Sequence, residues 1–293
     1  MENKNAVVEL KKAIMGKRYD NELIQRSEDI NGGYLVPNEE MYVIEKFKRQ
    51  QISLKPLCRV VQTNSGKGQL PFCVDASNMM MACVDEGEEI PESSINFGVV
   101  SWNVKTYADI IPVTAQILAD EACGLMDAIG QRLARKIVYT ENNKIIEALL
   151  ANAEEEQATS FTDGLPLVEA LNLRLDPVHA MNAKIICNQT YFNMLDRLKD
   201  ANDRGMLQPM LGDATKKQFM GKEIIVLSDS ELDFDGFIVG DLNAGILFAD
   251  RIGMEIATSR DAGFTKNVHY VRCICRFDVQ VIDPKAVVLI KIA

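Results

Sequence analysis

The chain lacks the sequence features of a membrane-spanning, secreted or nucleic-acid-binding protein. No apolar run approaches the roughly 20 residues of a membrane helix, and residues 1–18 contain no uninterrupted hydrophobic stretch that could act as a secretory signal. Lys and Arg number 32 against 42 Asp and Glu, which gives a formal net charge of −10, and no basic cluster is present to neutralise phosphates. These absences predict a protein that is made in a cytoplasm and stays there. Its acidity is compatible with a position near nucleic acid without tight binding to it.

Residues for nucleophilic or metal chemistry are also scarce. The chain has two histidines, His179 and His269, and seven cysteines, with no Cys-x-x-Cys pair and no Gly-x-Ser-x-Gly elbow. Cys273 and Cys275 share one face of a strand-like run, where they are interpreted as small apolar residues of a sheet rather than metal ligands. The sequence therefore predicts no catalytic, cofactor-binding or metal site. A cytosolic enzyme using His269 and Cys273 stays open as an alternative.

The N-terminal part of the chain is predicted to be an arm. One short amphipathic helix is followed by the polar segment of residues 17–31, which cannot bury enough surface to order itself. The phrase "NGGYLVP" then brings two adjacent glycines, Gly32 and Gly33, which permit backbone angles closed to other residues. A helix beginning near Asn38 and ending before Pro56 follows, so the glycines form a hinge between the arm and the folded body.

Residues 60–113 predict a long β-hairpin that projects from the body. Strand-like edges flank the middle "DASNMMMACVDEGEEIPESS", and a two-stranded hairpin is marginal alone in water, so it needs a neighbour such as another copy of the chain. Trp102, the single tryptophan, is predicted to anchor the return strand by packing. "SGKG" at residues 65–68 is interpreted as a hairpin turn rather than a phosphate loop.

The acidic part of this hairpin is predicted to contact basic residues of another copy. Its carboxylates are Asp85, Glu86, Glu88 and Glu89. Paired carboxylates also serve acid–base work or Ca²⁺ binding, but a solvated loop face is the commoner use. Candidate partners lie on the first helix and are Lys46, Lys48 and Arg49.

The rest of the chain predicts a long helix and then an α+β domain. Apolar residues three and four apart run from Ala115 to Asn152, and Gly124 divides off a second helix of about 28 residues, roughly 40 Å long. Predicted helices follow at Pro166–Leu175 and Gln189–Lys199. The predicted strands are "AKIICN", "KEIIVLS", "GFIVGD", "GILFAD", "MEIATS", "HYVRCICRFDVQVI" and "AVVLIKI", which would form a mixed sheet.

Three phrases in this order resemble the tailed-bacteriophage major capsid protein family with the Hong Kong 97-type fold. They are "GGYLVP", "VDEGEEIPESSINFGVVSWNVKTYADIIPVTAQILADEA" and "SRDAGFTKNVHYVRCICRFDVQVIDPKAVV", and the resemblance covers residues 32–293. It implies an α+β Hong Kong 97-type capsid fold with an arm, an extended loop, a peripheral domain on a spine helix and an α/β axial domain. The implied boundaries are 1–33 for the arm, 34–59 and 106–155 with 262–280 for the peripheral domain, 60–105 for the loop, and 156–261 with 281–293 for the axial domain.

The resemblance also implies a function and partners. The chain is expected to be a head protein of a tailed phage or prophage, assembling as hexamers and pentamers into an icosahedral shell around double-stranded DNA. Expected partners are further copies, a portal protein and, in some systems, a scaffolding protein or maturation protease; no membrane is implied. The expected location is the virion, and the bacterial host cytoplasm during assembly. An encapsulin-like nanocompartment is the alternative with the same fold.

One well-studied family member joins its subunits by a lysine–asparagine isopeptide bond assisted by a glutamate. Ile90 stands at the lysine position before Pro-Glu-Ser, Asn267 matches the asparagine, and Ile274 stands at the glutamate position. Because isoleucine has neither an amine nor a proton-accepting group, we expect a shell without covalent cross-links. Met79–Met81 are expected to form an adaptable contact that shifts as the shell matures.

The family often carries an N-terminal scaffolding segment of roughly a hundred residues that a protease removes. Only residues 1–31 precede Gly32 here. We therefore expect either a separate scaffolding protein or a chain that starts after the removed segment.

Overall fold

The computed structural model of the chain describes residues 51–74, 83, 96–114, 125–158, 161, 164–199, 204–210, 213–259, 262 and 267–292. The chain divides into two compact units. The first unit comprises Met1–Ser53, Thr106–Glu141 and Ile252–Arg276. The second comprises Leu54–Lys105, Asn142–Arg251 and Phe277–Ala293.

The described residues contain the following helices and strands. The helices are α1 (Leu125–Asn152), α2 (Leu165–Glu169), which a π-helical turn (Ala170–Arg174) continues, α3 (Pro177–Asn182), α4 (Gln189–Asp196) and α5 (Leu242–Gly245). The first eight strands are β1 (Arg59–Gln62), β2 (Lys67–Val74), β3 (Asn96–Asn103), β4 (Lys105–Thr114), β5 (Glu154–Ala158), β6 (Lys184–Asn188), β7 (Gln208–Met210) and β8 (Asp213–Phe219). The last five are β9 (Lys222–Leu227), β10 (Gly236–Gly240), β11 (Ile246–Ser259), β12 (Val268–Val281) and β13 (Val287–Ile292). Of the described helices, none is long and apolar enough to cross a membrane.

The long helix α1 has 28 residues, which confirms the predicted second helix after Gly124. At 1.5 Å per residue it is about 42 Å long. Its buried residues recur three and four apart, because one side of the helix packs in the core while the other faces solvent. Near the C-terminal end the side-chain amide of Asn152 donates to the carbonyl of Ala148 at 3.1 Å.

The first unit has a core between the N-terminal half of α1 and one face of a sheet. The sheet order is β1-β11-β12-β4, with β1 parallel to β11. The first unit contains nearly all of β4, β11 after Arg251 and β12 up to Arg276, while the rest of the sheet is in the second unit. The core residues come from α1 and three strands, and they are Val113, Ile129, Leu133, Ala134, Ile137, Ile256, Val271 and Cys273. Cys273 is buried among apolar side chains, with the half-buried Cys275 packed against the same cluster, which confirms the prediction that both are small apolar residues of a sheet.

The second unit contains a seven-stranded sheet in the order β5-β13-β10-β6-β9-β8-β7. Its β13–β5 and β6–β9 pairs are parallel and its β10–β13 and β10–β6 pairs antiparallel, so the sheet is mixed as predicted. The predicted strands "GILFAD", "MEIATS" and "HYVRCICRFDVQVI" do not belong to it, because they form β11 and β12 of the four-stranded sheet. All five residues of β10 are buried, as expected of a central strand covered on both faces. β10 approaches β13 so closely that a Cβ added at Gly236 would lie 1.8 Å from the carbonyl oxygen of Ile290.

Three local predictions are corrected by the structure. The "SGKG" turn does not close a hairpin, because it joins β1 in the four-stranded sheet to β2 in a separate two-stranded sheet. The segments "GILFAD" and "MEIATS" are one continuous strand, β11, instead of two. The strand β5, "EEEQA", was missed because its three consecutive glutamates give no apolar alternation.

Candidate functional site

The strands β2 and β3 form a two-stranded ribbon, which confirms this part of the predicted hairpin. The outer edges of the predicted hairpin are not part of the ribbon, because β1 and β4 pair within the four-stranded sheet. All eight residues of each strand are paired, from Lys67 opposite Asn103 to Val74 opposite Asn96. Side chains along each strand point alternately to the two faces of the ribbon. We call these the inner face, which packs on the body of the second unit, and the outer face, which is exposed.

The inner face is built from aromatic rings placed over glycines. Trp102 lies opposite Gly68, and Phe72 lies opposite Gly98. A Cβ added at Gly68 would lie 2.3 Å from the Trp102 ring, and one added at Gly98 would lie 2.5 Å from the Phe72 ring. Each ring therefore fills the space that the missing side chain across the strand leaves free.

The inner face packs on β11. Trp102 is only 9% exposed and packs in one cluster with Val100 and the fully buried Leu247 and Ala249. Partly buried residues of the ribbon, Leu70 and Phe72, lie against the same cluster. This confirms Trp102 as the anchor of the return strand.

Hydrogen bonds fasten the base of the ribbon where β3 ends. The backbone N–H of Asn103 donates to Oδ2 of Asp278 at 2.8 Å, and the side chain of Gln280 donates to the same oxygen at 2.9 Å. The N–H of Val104 donates to the carbonyl of Gly66 at 2.9 Å. Asp278 is buried, so loss of its carboxylate would leave these donors without their acceptor.

A further ion pair fastens the segment that leads into β1. Nζ of Lys55 lies 2.7 Å from Oδ2 of Asp250 and 4.6 Å from the centre of the Phe248 ring. Phe248 in turn stacks on Phe277 with ring centroids 5.0 Å apart. These contacts hold the chain on both sides of the ribbon's base to β11 and β12.

The outer face of the ribbon is exposed and partly apolar. Phe97 is 65% exposed and Val99 is 57% exposed. Val99 is paired with the exposed Pro71, so three apolar residues lie together on this face. An exposed apolar patch of this kind, on a ribbon whose other face is anchored, is typical of a surface that another protein covers.

Several residues singled out from the sequence lie outside the described residues. They are the acidic group Asp85, Glu86, Glu88 and Glu89, the basic candidates Lys46, Lys48 and Arg49, the methionines Met79–Met81, Gly32, Gly33 and Ile90. Their predicted contacts stay predictions. Of the three positions that correspond to the family's cross-link, Asn267 is exposed with a φ of +52° and Ile274 is half-buried.

The candidate enzyme pair is not assembled as a Cys–His site. His269 and Cys273 both lie in β12, four residues apart, so their Cα atoms are about 13 Å apart along the strand. A nucleophile and its base must be within hydrogen-bond reach. His179 lies elsewhere, in α3, with Nε2 3.6 Å from Oδ2 of Asp283.

Two other thiols are unsuited to nucleophilic chemistry. Burial raises the pKa of Cys58 to about 12, and burial raises the pKa of Cys187 to about 12 as well. Since the thiolate is the nucleophile, both thiols stay protonated and unreactive near neutral pH. Among the described residues, no three His, Cys, Asp or Glu side chains lie together as a metal site.

Solved structures with a similar fold include a capsid protein and a virus-like particle protein. The capsid protein of an empty GTA particle is 18% identical, with a TM-score of 0.67 over 92% of this chain and 94% of that one. A protein of Microbacterium phage Oxtober96 is 12% identical, with a TM-score of 0.66 over 94% and 98% of the two chains. A virus-like particle protein of Pyrococcus furiosus is 12% identical, with a TM-score of 0.59 over 87% and 99%.

At these identities the likeness shows the fold, which confirms the predicted Hong Kong 97-type architecture. A search of curated proteins found no match. The family model described as the phage capsid family matches residues 32–292, nearly the whole chain. The chain therefore belongs to the phage capsid family, and its role is that of a capsid structural protein rather than an enzyme.

Proposed function

We propose that the chain is the major capsid protein of a tailed phage or prophage. Its copies form hexamers and pentamers that close into an icosahedral shell around double-stranded DNA, in the host cytoplasm during assembly and in the virion afterwards. A portal protein, and a scaffolding protein or maturation protease, are the further partners of this proposal. The capsomer types, the DNA and these partners go beyond what family membership alone states.

The exposed outer face of the ribbon is the observation that carries this proposal. Burying Phe97 and Val99 under another copy would contribute about 1.5–3 kcal/mol for each side chain. A contact repeated around a closed ring of identical copies gives each ribbon such a neighbour without open-ended growth.

The proposal uses the domain division implied by the family resemblance. In this division residues 1–33 are the arm and 60–105 the extended loop, which contains the ribbon. Residues 34–59, 106–155 and 262–280 form the peripheral domain, and 156–261 with 281–293 form the axial domain. The division stays a prediction.

The assembly test is a double substitution on the outer face, Phe97→Ser with Val99→Ser. We expect the purified variant to sediment as small species and to show no shells by negative-stain electron microscopy, under conditions where the natural chain forms shells. Circular dichroism checks that the variant is folded, since both side chains are exposed. Complete shells of normal yield would contradict the role of this face.

The matched control is Val178→Ser, because Val178 is 68% exposed but lies in α3 of the second unit, outside the ribbon. We expect this variant to assemble normally. If Val178→Ser lost assembly as fully as the ribbon variant, the outer face of the ribbon would have no specific role in assembly.

A nanocompartment that encloses cargo proteins is the second candidate, since a virus-like particle protein shares the fold as well as phage proteins. The contents of shells purified from the native source distinguish the two. Double-stranded DNA inside supports the phage head, and a single enriched enzyme without DNA supports the nanocompartment.

We also propose that the mature shell is held without isopeptide cross-links. Ile90 and Ile274 supply neither an amine nor a carboxylate at the two positions where the family's cross-link needs them. Mature shells boiled in detergent should run on a denaturing gel as one band near 32.7 kDa. A ladder of multimers would contradict this proposal.

A further inference from the structure

The outward side of α1 carries an unusual set of charges for this acidic chain. The opposite side of the helix is buried in the first unit through Ile129, Leu133 and Ile137. The exposed residues of the N-terminal half follow one another at helical spacing, and they are Ala128, Gln131, Arg132, Arg135, Lys136 and Tyr139. We call this row the α1 stripe.

The α1 stripe has positive charges and no acidic side chain of its own. Between residues 128 and 146 the only acidic residue is Glu141, which is buried at 3% exposure. Lys136 is neutralised by Asp109 of β4, with Nζ and Oδ2 2.7 Å apart. Arg132 and Arg135 are exposed, and neither forms an ion pair with a residue that the structure describes.

The chemistry of the α1 stripe fits a phosphate backbone. Arginine stays charged at any physiological pH and binds phosphate oxygens through two parallel N–H donors. Arg132 and Arg135 are three residues apart on the helix, which places their Cβ atoms about 5–6 Å from each other, and their long side chains can spread further apart. Two neighbouring phosphates are therefore within reach of the two side chains.

We infer that the α1 stripe faces the interior of the shell and contacts the sugar–phosphate backbone of the enclosed double-stranded DNA through Arg132 and Arg135. The inference rests on the proposed function and extends it, because the sequence predicts DNA only as a neighbour of the shell. A wall whose copies each carry a net charge of −10 repels a polyanion. The two exposed arginines of the α1 stripe lower that repulsion where the helix and the DNA meet.

The experiment measures how binding of a labelled 30-base-pair duplex to full-length, unassembled capsomers depends on salt. In the double variant Arg132→Gln with Arg135→Gln, we expect the slope of log affinity against log salt to fall by about 1.8 per bound copy, or 0.9 for each lost phosphate contact. The matched control is Arg59→Gln with Arg197→Gln, which removes the same charge from exposed arginines of β1 and the end of α4. We expect the control to keep the natural slope.

Other outcomes overturn the inference. Equal slopes for the natural chain and the α1 variant, or equal decreases in the variant and the control, mean that the stripe makes no particular phosphate contact. If the α1 variant assembles normally with an unchanged slope, the capsid function stands and the DNA contact fails.

A second arm of the experiment identifies the competing occupant, which is the acidic segment of another copy. A synthetic peptide of residues 84–94 contains five carboxylate side chains and no cation. Binding of this peptide that the α1 variant loses, together with an unchanged duplex slope, would assign the stripe to a contact between copies and overturn the contact with DNA.

Discussion

Replacing Trp102 tests whether the ribbon is anchored by one ring. The side chain is 9% exposed and packs with the fully buried Leu247 and Ala249. Truncation of a buried Trp to Ala costs about 3–5 kcal/mol. Gly68 on the opposite strand has no side chain to fill the space, so we expect Trp102→Ala to stand at the upper end of this range.

The indole nitrogen allows a second, milder substitution. Nε1 of Trp102 is buried and donates to no acceptor in the described residues, so Trp102→Phe removes no hydrogen bond. Removing a buried donor that has no partner is itself favourable, and this gain offsets part of the lost apolar volume. We expect Trp102→Phe to cost at most about 1–1.5 kcal/mol.

Hydrogen exchange of the unassembled protein, measured by mass spectrometry, tests how strongly Trp102 stabilises the ribbon. At about 1.4 kcal/mol per factor of ten, amide protection in β2 and β3 should fall by about three to three and a half orders of magnitude in Trp102→Ala and by at most about tenfold in Trp102→Phe. Protection of β2 within threefold of the natural chain in Trp102→Ala would refute the anchoring role.

Two further predictions concern the seven-stranded sheet of the second unit. Gly236→Ala should lower the free energy of unfolding in urea by about 1–3 kcal/mol, because the new Cβ would collide with the Ile290 carbonyl oxygen. Gly205→Ala is the control and should leave the free energy of unfolding almost unchanged, because no atom lies within 4 Å of the added Cβ. Equal effects of the two substitutions would contradict the close approach of β10 and β13. Hydrogen bonds from two lysine side chains lower the pKa of Glu223 below its ordinary value of 4.5, so its contribution to stability is present above that pH and is lost as the pH falls through the lowered pKa. Glu223→Gln should therefore reduce stability at pH 7 and flatten the loss of stability in acid, and parallel pH profiles of the two proteins would argue against this.

The sequence predicted those elements whose own residues determine them. The 28 residues of α1 follow from apolar spacing, and the 14 residues of β12 follow from an unbroken run of strand-forming residues. The strand β5 could not be found in this way, because it is defined by parallel pairing with β13, more than 130 residues away. Its glutamates resemble a solvated loop until that partner is known.

The ribbon was predicted as a hairpin, but its pairing was not. On the inner face each strand has one glycine and, four residues later, one aromatic residue, and only the register shows that each ring lies over the glycine of the other strand. The exposed outer face follows from the same register, because Phe97 and Val99 point away from the side that Trp102 anchors. The pair Arg132 and Arg135 could not be recognised from the sequence of a chain with a net charge of −10. The two arginines form a common exposed surface only once the structure shows which side of α1 is buried.

The two edge strands of the seven-stranded sheet affect how readily the protein aggregates at high concentration. One is β5 with glutamates at three successive positions, and the other is β7, whose Pro209 has no N–H to offer. Pairing between the sheet edges of two molecules is disfavoured by the repeated acidic residues in the sequence of β5 and by the backbone N–H that Pro209 of β7 lacks. Both sheet edges are therefore poor templates for strand-to-strand aggregation, and folded chains stay available for ordered assembly.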